Sequence, residues 1–213
     1  MTSEAGTAQR PPVRVPTQKR AKRTVASILD ATADLLVAGG MDAVNTNAVA
    51  KAAGVNVSTL YAYFPDKTAI VAQLAQRFED ERAAYVSAVA PNLAGADWRE
   101  WFAEVIDRLA RFRVETRAAV AIRKAVMGDT ELRHIDQEST ASATEKIIGG
   151  LRAHNPALTE ERARLIGSVV VRTITEIVDA AFAAEPPDSG MLDELKLLVV
   201  RYLEPYLHDS PTS

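Results

Sequence analysis

The sequence has 213 residues, 47% of them apolar and 25% charged, with a formal net charge of −3, which is typical of a globular protein of one or two domains. It contains no cysteine, which excludes disulfide bonds and thiolate metal sites and favours a reducing, cytoplasmic location. No apolar run approaches the roughly 20 residues that cross a bilayer, and the N-terminus lacks a signal-peptide core, so we expect no membrane association.

Charge is distributed unevenly along the chain. Residues 1–70 carry eight Lys or Arg against five acids, a net +3, whereas residues 71–213 carry seventeen against twenty-three, a net −6. A positive N-terminal part would be drawn to phosphate groups and the acidic remainder repelled. Residues 1–20 are rich in Thr, Pro and basic side chains without apolar periodicity, so we expect a disordered basic arm. This arm is either a solubilising tail or a segment that binds a nucleic-acid backbone or minor groove.

The first predicted helix runs from Val25 to Ala38. Its apolar residues recur on one helical face, and Gly39 and Gly40 end the pattern. We interpret this helix as a core element that supports the two shorter helices after it.

The next stretch predicts two short helices joined by a tight turn. Helix Thr46–Ala53 has a two-turn apolar stripe and is too short to be stable without packing partners. Gly54 follows where a left-handed residue would end the helix, because glycine lacks a Cβ atom. Asn56 is a suitable N-cap for a second helix, Val57–Tyr63. Together these signals indicate a helix-turn-helix.

The outward face of the second helix has an unusual composition for a solvated surface. It carries small, hydroxyl-bearing and aromatic side chains and no acid, namely Val57, Ser58, Thr59, Tyr61 and Tyr63. Such a face suits entry into a DNA major groove, with hydroxyl groups donating to phosphates.

Residues 24–70 resemble the DNA-binding domain of the TetR family (tetracycline-repressor type). The family pattern is a helix followed by T-x-x-x-A-x-x-A-G-V and then by T-L-Y-x-Y-F-x-x-K. It is matched without a gap by Thr46, Ala50, Ala53, Gly54, Val55, Thr59, Leu60, Tyr61, Tyr63, Phe64 and Lys67. Ser58 stands where the family often has glycine, which affects the expected base preference and not the fold.

The resemblance implies double-stranded DNA as a partner. We predict base or near-base contacts from Asn47, Val57, Ser58 and Tyr61. Phosphate contacts are predicted from Thr46, Thr59, Tyr63 and Lys67. The alternative is an all-α ligand-binding or interaction protein in which the helix-turn-helix is structural only.

The rest of the chain is also predicted to be helical, because no stretch alternates apolar and polar residues as a strand would. Predicted helices run from Thr68 to about Ala90, from an Asp97 cap to about Glu115, from Arg117 to Met127, from Glu131 to His154, onward from a Thr159 cap, and from about Ser189 to Leu207. The expected architecture is all-α, with the basic arm at 1–20, a helix-turn-helix domain at 21–67 and an effector-binding and dimerisation domain at 68–208. Asp66 is expected to cap the helix from Thr68, which links the two domains mechanically.

The last two helices carry more apolar surface than one core contact needs. In the resembled family these helices form a four-helix bundle with a second chain, which implies a homodimer on a palindromic operator. The predicted interface comprises Ile166, Val170, Ile174, Ile177, Leu195, Leu198, Val199 and Tyr202.

No pattern indicates catalysis. The three histidines are scattered without metal-ligand spacing, and the phosphate-binding, dinucleotide-binding and nucleophile motifs are missing, so we expect no enzyme activity, no metal and no cofactor. The resemblance implies instead a small-molecule effector that lowers operator affinity. An apolar or amphipathic compound fits the aromatic stretch, and the candidate contacts are Trp98, Trp101, Phe102, Phe112, Arg123, Met127, His134 and Arg172. Ordinary core packing is the alternative for the aromatic residues, and an ion pair with Glu176 is favoured for Arg172.

Overall fold

The computed structural model describes residues 16–88 and 93–207, and the regular secondary structure within these ranges is entirely helical. The helices are α1 (Pro16–Ala43), α2 (Thr46–Ala52), α3 (Val57–Tyr61), α4 (Lys67–Ser87), α5 (Trp98–Glu115), α6 (Ala119–Gly128), α7 (Arg133–His154), α8 (Glu160–Ala181) and α9 (Ser189–Leu203), with a 3-10 turn at Leu93–Gly95. The predicted all-α architecture is confirmed. Residues 16–20 of the predicted arm belong to α1, while residues 1–15 and His208 lie outside the described ranges.

Helix α1 is interrupted by a glycine pair near its C-terminal end. Gly39 has φ −159° and ψ 19°, and Gly40 has φ 63° and ψ −158°, so the backbone leaves the helical region where the sequence predicts the end of the first helix. By length and composition alone, residues 19–43 would suffice to cross a membrane. Ile28 and Leu36 of this helix are buried in the protein's own core, and a core helix passes the same test of length and composition.

The predicted helix caps are confirmed by side-chain hydrogen bonds. Asn56 accepts from the backbone N–H of Thr59, and Asp66 accepts from that of Ala69. The side chains of Asp97 and Thr159 cap α5 and α8 in the same way. Each cap satisfies an N–H group that has no partner within its helix, which is why these short local signals place helix starts well.

Helix α3 ends two residues earlier than predicted. The backbone N–H groups of Tyr63 and Phe64 both donate to the carbonyl of Leu60, each at 3.0 Å, and close a turn that stops the helix after Tyr61. Phe64 is thereby turned into the core, where it is buried. The turn leaves α3 with five residues, so its stability depends on packing.

Two hydrophobic cores hold the chain together. The first lies among α1 to α4 and continues through α6 to Leu132 and Ile135 near the start of α7. The second lies among α5, α7, α8 and α9. Because Leu74 and Phe78 of α4 belong to the first core, this core extends across the predicted domain boundary between residues 67 and 68. Helices α4 and α6 therefore join the N-terminal unit to the rest of the protein.

Candidate functional site

The turn between α2 and α3 is fixed by backbone geometry. Gly54 adopts φ +66°, as predicted, and the N–H of Val55 donates to the carbonyl of Ala50 at 3.0 Å. At the other end of α2, Asn45 Oδ1 accepts from the N–H of Ala48 at 2.9 Å. This cap was not predicted, although asparagine directly before a helical stripe is a recognisable signal.

The predicted DNA-binding residues lie on α2, on α3, in the turn after α3 and at the first residue of α4. Tyr61 is 52% exposed and Tyr63 is 39% exposed. Thr46 Oγ1 lies 3.2 Å from the hydroxyl oxygen of Tyr61, which joins the first residue of α2 to the last residue of α3. Asn47, Ser58 and Lys67 are exposed, whereas Thr46, Val57 and Thr59 are partly buried.

Asn56 organises the hydroxyl-bearing side of α3. Its Oδ1 accepts from the backbone N–H of Thr59 at 2.6 Å and from the hydroxyl of Ser58 at 2.8 Å. The Ser58 hydroxyl proton is therefore engaged within the protein, and the oxygen remains an acceptor. Val57 packs against the first core, which limits the part of its side chain that a partner can contact.

A cavity of about 490 Å³ lies among α4, α5, α7 and α8. This volume is within the usual range for small-molecule sites, about 300–1,000 Å³. Two of the predicted ligand contacts, Trp101 and Phe102, line it, together with apolar residues of α5 and α8 such as Leu109 and Val171. The 3-10 turn closes it at one side, where Leu93 packs so tightly on Gly150 that a Cβ on the glycine would lie 2.5 Å from the leucine Cβ.

The polar end of the cavity contains a hydrogen-bonded triad that was not predicted from the sequence. Arg82 pairs with Glu79 on α4, and Arg82 Nη2 also donates to Ser139 Oγ of α7 at 2.8 Å. The Ser139 hydroxyl donates to Glu79 Oε2 at 2.6 Å. Glu79 and Arg82 share one helix face at i,i+3, but no local signal in the sequence connects them to Ser139.

The other six predicted ligand contacts lie outside this cavity. Trp98 is buried in the second core, and the Arg99 guanidinium carbon lies 4.2 Å from its ring centroid. The ring of Phe112 packs on that of Phe78, with centroids 5.3 Å apart. The remaining residues are divided between the surface and an ion cluster: Met127, His134 and Arg172 are exposed, and Arg123 is buried.

Arg123 is the centre of an ion cluster that joins α5, α6, α7 and α8. It pairs with Asp136, donates through Nε to Asp179 Oδ2 at 2.5 Å and donates through Nη2 to Glu176 at 3.0 Å. Burial lowers the pKa of Arg123, but the charges of Asp179 and Asp136 outweigh it and raise the pKa overall. Arg113 also pairs with Asp179, and burial lowers its pKa.

This cluster corrects the predicted ion pair between Arg172 and Glu176. Glu176 points to Arg123 on another helix, whereas Arg172 is exposed. The i,i+4 spacing made the two residues neighbours on α8, but the Arg123 guanidinium has a further N–H donor, Nη2, that points to Glu176.

The predicted interface residues fall into three groups. Five of them are at most 3% exposed and pack in the protomer's own second core, which corrects their assignment to a subunit contact: Ile166, Val170, Ile174, Leu195 and Val199. Ile177 and Tyr202 are partly buried against the same core, and Leu198 is exposed. The exposed apolar side chains of α8 and α9 include Leu165, Val169, Leu197 and Leu198.

Comparisons with known proteins agree with this arrangement. The family described as "Bacterial regulatory proteins, tetR family" matches residues 28–74, and "Tetracyclin repressor-like, C-terminal domain" matches residues 97–203. The HTH-type transcriptional repressor KstR of Rhodococcus jostii (strain RHA1) is 53% identical over 53 residues, which are 24% of this chain and 25% of KstR. The match thus spans about a quarter of that relative's length.

Solved structures match over most of the chain. A TetR-family transcriptional regulator from Streptomyces coelicolor is 26% identical, with a TM-score of 0.65, and the alignment covers 86% of this chain and 99% of that one. The fatty acid degradation regulator FadR from Bacillus halodurans has the same fold, with a TM-score of 0.67 at 17% identity over 83% of this chain and 94% of FadR. Because the two family descriptions together match most of the sequence, this chain belongs to the TetR family of bacterial transcriptional regulators and carries a helix-turn-helix DNA-binding domain.

Proposed function

We propose that this protein is a ligand-responsive repressor that binds a palindromic operator as a homodimer and is released by a small apolar or amphipathic effector. The observation that carries the proposal is the exposed surface of α2 and α3, which presents aromatic and hydroxyl-bearing side chains without an acid at the basic end of the chain. The repressor KstR shares 53% identity within the matched 53 residues, which supports repression as the outcome.

The surface supports a division of labour between base and phosphate contacts. In our proposal the exposed Asn47, Ser58 and Tyr61 reach base edges, together with the partly buried Val57. Thr46, Thr59, Tyr63 and Lys67 contact the backbone. Lys67 lies at the first residue of α4, where its charge and the positive end of the helix dipole both attract phosphate.

We infer dimerisation from the small size of α3, the proposed recognition helix, and from the exposed apolar side chains of α8 and α9. A helix of five residues offers few base contacts, so two copies that read half-sites about one helical turn apart would supply affinity and symmetry. Leu165 and Val169 are 54% and 46% exposed at i,i+4 on α8, and Leu197 and Leu198 are 51% and 45% exposed on the adjoining α9. We propose that these four residues, in place of the buried set, form the centre of the interface.

The cavity is the proposed effector site, because it is the described space that combines apolar walls with a few convergent polar groups. Helix α4 lines this cavity and begins beside the recognition unit, so a ligand that shifts α4 would change the separation of two recognition helices in a dimer. The effector releases the protein from the operator if it binds more tightly to a conformation whose spacing does not fit the operator than to the operator-bound conformation.

Selection of random duplexes by the full-length protein tests this function. We expect enrichment of a palindromic motif whose half-sites are separated by about one helical turn. Gel shifts with the duplex upstream of the protein's own gene then show whether that region contains the motif. Failure to enrich any motif would contradict operator recognition and favour a structural role for the helix-turn-helix.

A further inference from the structure

The charged groups of the cavity leave no unbalanced positive charge for an anionic ligand. Glu79, Asp80 and Glu138 supply three carboxylates, and Arg82 and Lys146 supply two cations. Asp80, Glu138 and Lys146 are exposed at the rim, whereas the side chains of Glu79 and Arg82 are only 10% and 11% exposed. The charges that meet a bound molecule in the interior are therefore the matched pair on α4.

Breaking this pair would be costly. An ionised carboxylate that took Glu79's place on Arg82 would leave Glu79 buried without its ion-pair partner. An ammonium group that took Arg82's place on Glu79 would leave Arg82 buried without its ion-pair partner. Ser139 closes the triad by accepting from Arg82 and donating to Glu79, so it adds a further hydrogen bond that a charged ligand would have to break. A neutral ligand can leave the triad intact.

Arg82 still has donors to offer. Its Nη2 serves both Glu79 and Ser139, while Nε and Nη1 have no acceptor among residues 16–88 and 93–207. Neither atom is a fully buried nitrogen that lacks a hydrogen-bond partner. A carbonyl or hydroxyl oxygen at the polar end can therefore accept from Arg82 without disturbing the pair, because the guanidinium group carries five N–H donors.

We propose that the effector is an uncharged, largely apolar molecule with a carbonyl or hydroxyl oxygen that accepts a hydrogen bond from Arg82. This inference rests on the proposed function, since it takes the cavity as the effector site. The apolar part lies against Trp101, Phe102 and Leu109 of α5 and Val171 of α8. Arg82 thereby determines which end of the molecule is buried and selects against ionised analogues.

A set of probes with equal chain length tests the charge preference. 2-Decanone, decanoate and decylamine are titrated at pH 7.5 into the full-length protein without DNA, and binding is followed by tryptophan fluorescence. We expect the ketone to bind at least about tenfold more tightly than either charged probe, the size of a retained hydrogen bond to a charged group. Binding of decanoate or decylamine as tight as that of the ketone, or no binding of the ketone, would overturn the proposal.

Charge variants test the role of the pair. Glu79→Gln leaves Arg82 without its carboxylate, so decanoate affinity should rise at least about tenfold, whereas Glu138→Gln at the exposed rim should leave the preference unchanged. Arg82→Gln leaves Glu79 without its cation partner, so it should shift the preference towards decylamine. This variant supplies a second readout if Glu79→Gln folds poorly. Equal effects of Glu79→Gln and Glu138→Gln would contradict selection by the buried pair.

The location of binding is tested with a cavity-filling variant. Ala143 lines the cavity on α7 and Ala141 is exposed two residues away. Ala143→Phe should abolish ketone binding and Ala141→Phe should preserve it; ketone binding by both would overturn the assignment. Operator affinity is measured separately. Probes that bind in the cavity without changing operator affinity would refute the proposed release from DNA, but they would not contradict the proposed chemical class of the ligand.

Discussion

Lys67 and Arg82 lie on the same uninterrupted helix. Lys67 is the first residue of α4 and belongs to the predicted DNA-binding surface, and Arg82 is in the wall of the cavity. At 1.5 Å rise per residue they are separated by about 22 Å along the helix axis. In the proposed release, a shift of α4 caused by a bound ligand would be carried along this helix to the position where we expect a phosphate contact.

Replacing Lys67 by Ala should weaken binding to all duplexes alike. The residue is exposed at the positive end of α4, and a phosphate contact carries no sequence information. We expect the slope of log affinity against log salt to become shallower by about one. Fluorescence anisotropy with operator and random duplexes measures both effects, and Lys124→Ala on α6 is the matched control. An unchanged slope would contradict a phosphate contact at this position.

Replacing Asn47 by Ala should alter preference among operators. Its amide is exposed on α2, which precedes α3, and has the donor and acceptor that a base edge requires. We expect a loss of about 1–3 kcal/mol on duplexes with the preferred base and a much smaller loss on duplexes that already lack it. Titration against single-base operator variants measures the difference. If all duplexes lose affinity equally, Asn47 contacts the backbone instead.

Gly54→Ala should destabilise the helix-turn-helix through the backbone alone. Apart from its chain neighbours, no residue in the described part of the chain has a heavy atom within 4 Å of the added Cβ, but φ is +66°, which costs a non-glycine residue about 1–2 kcal/mol. The matched control is Gly149→Ala on α7, which also meets no neighbour and should be neutral or stabilising by up to about 1 kcal/mol. Urea unfolding measures both free energies, and equal values for the two variants would contradict the assigned strain.

Val169→Asp should convert the proposed dimer to a monomer. Val169 is exposed on α8, so a carboxylate there leaves the protomer core intact but places a charge in a desolvated apolar contact. Sedimentation velocity at micromolar concentration should give a dimer for the wild type and for the control Val114→Asp, which alters a 70% exposed residue of α5. A monomeric wild type, or a dimer that tolerates Val169→Asp, would refute this interface.

Local signals made the DNA-binding unit predictable from sequence. Asn56, Asp66 and Gly54 each act on backbone atoms a few residues away, so residue type and spacing suffice to place the helices. The same reasoning could not separate the faces of α8. Ile166 and Leu165 are neighbours rotated by about 100° on the helix, and both are apolar, so periodicity alone does not reveal that Ile166 faces inward.

The cavity was predictable only in part. Aromatic residues on α5 indicate apolar surroundings, but the sequence cannot distinguish Trp98 in the core from Trp101 at the cavity. Glu79 and Ser139 are sixty residues apart in the chain, and only the packing of α7 on α4 brings their side chains to 2.6 Å. Polar groups that meet through tertiary packing leave no pattern of spacing in a single sequence.

Anisotropy titration of a labelled duplex is the most direct measurement of sequence-specific DNA binding by the surface of α2 and α3. The enriched palindrome and a scrambled duplex of equal length are titrated with the full-length protein at physiological salt. We predict that the palindrome binds at least about a thousandfold more tightly, as specific protein–DNA complexes do. Equal affinity for the two duplexes would contradict operator recognition by this surface.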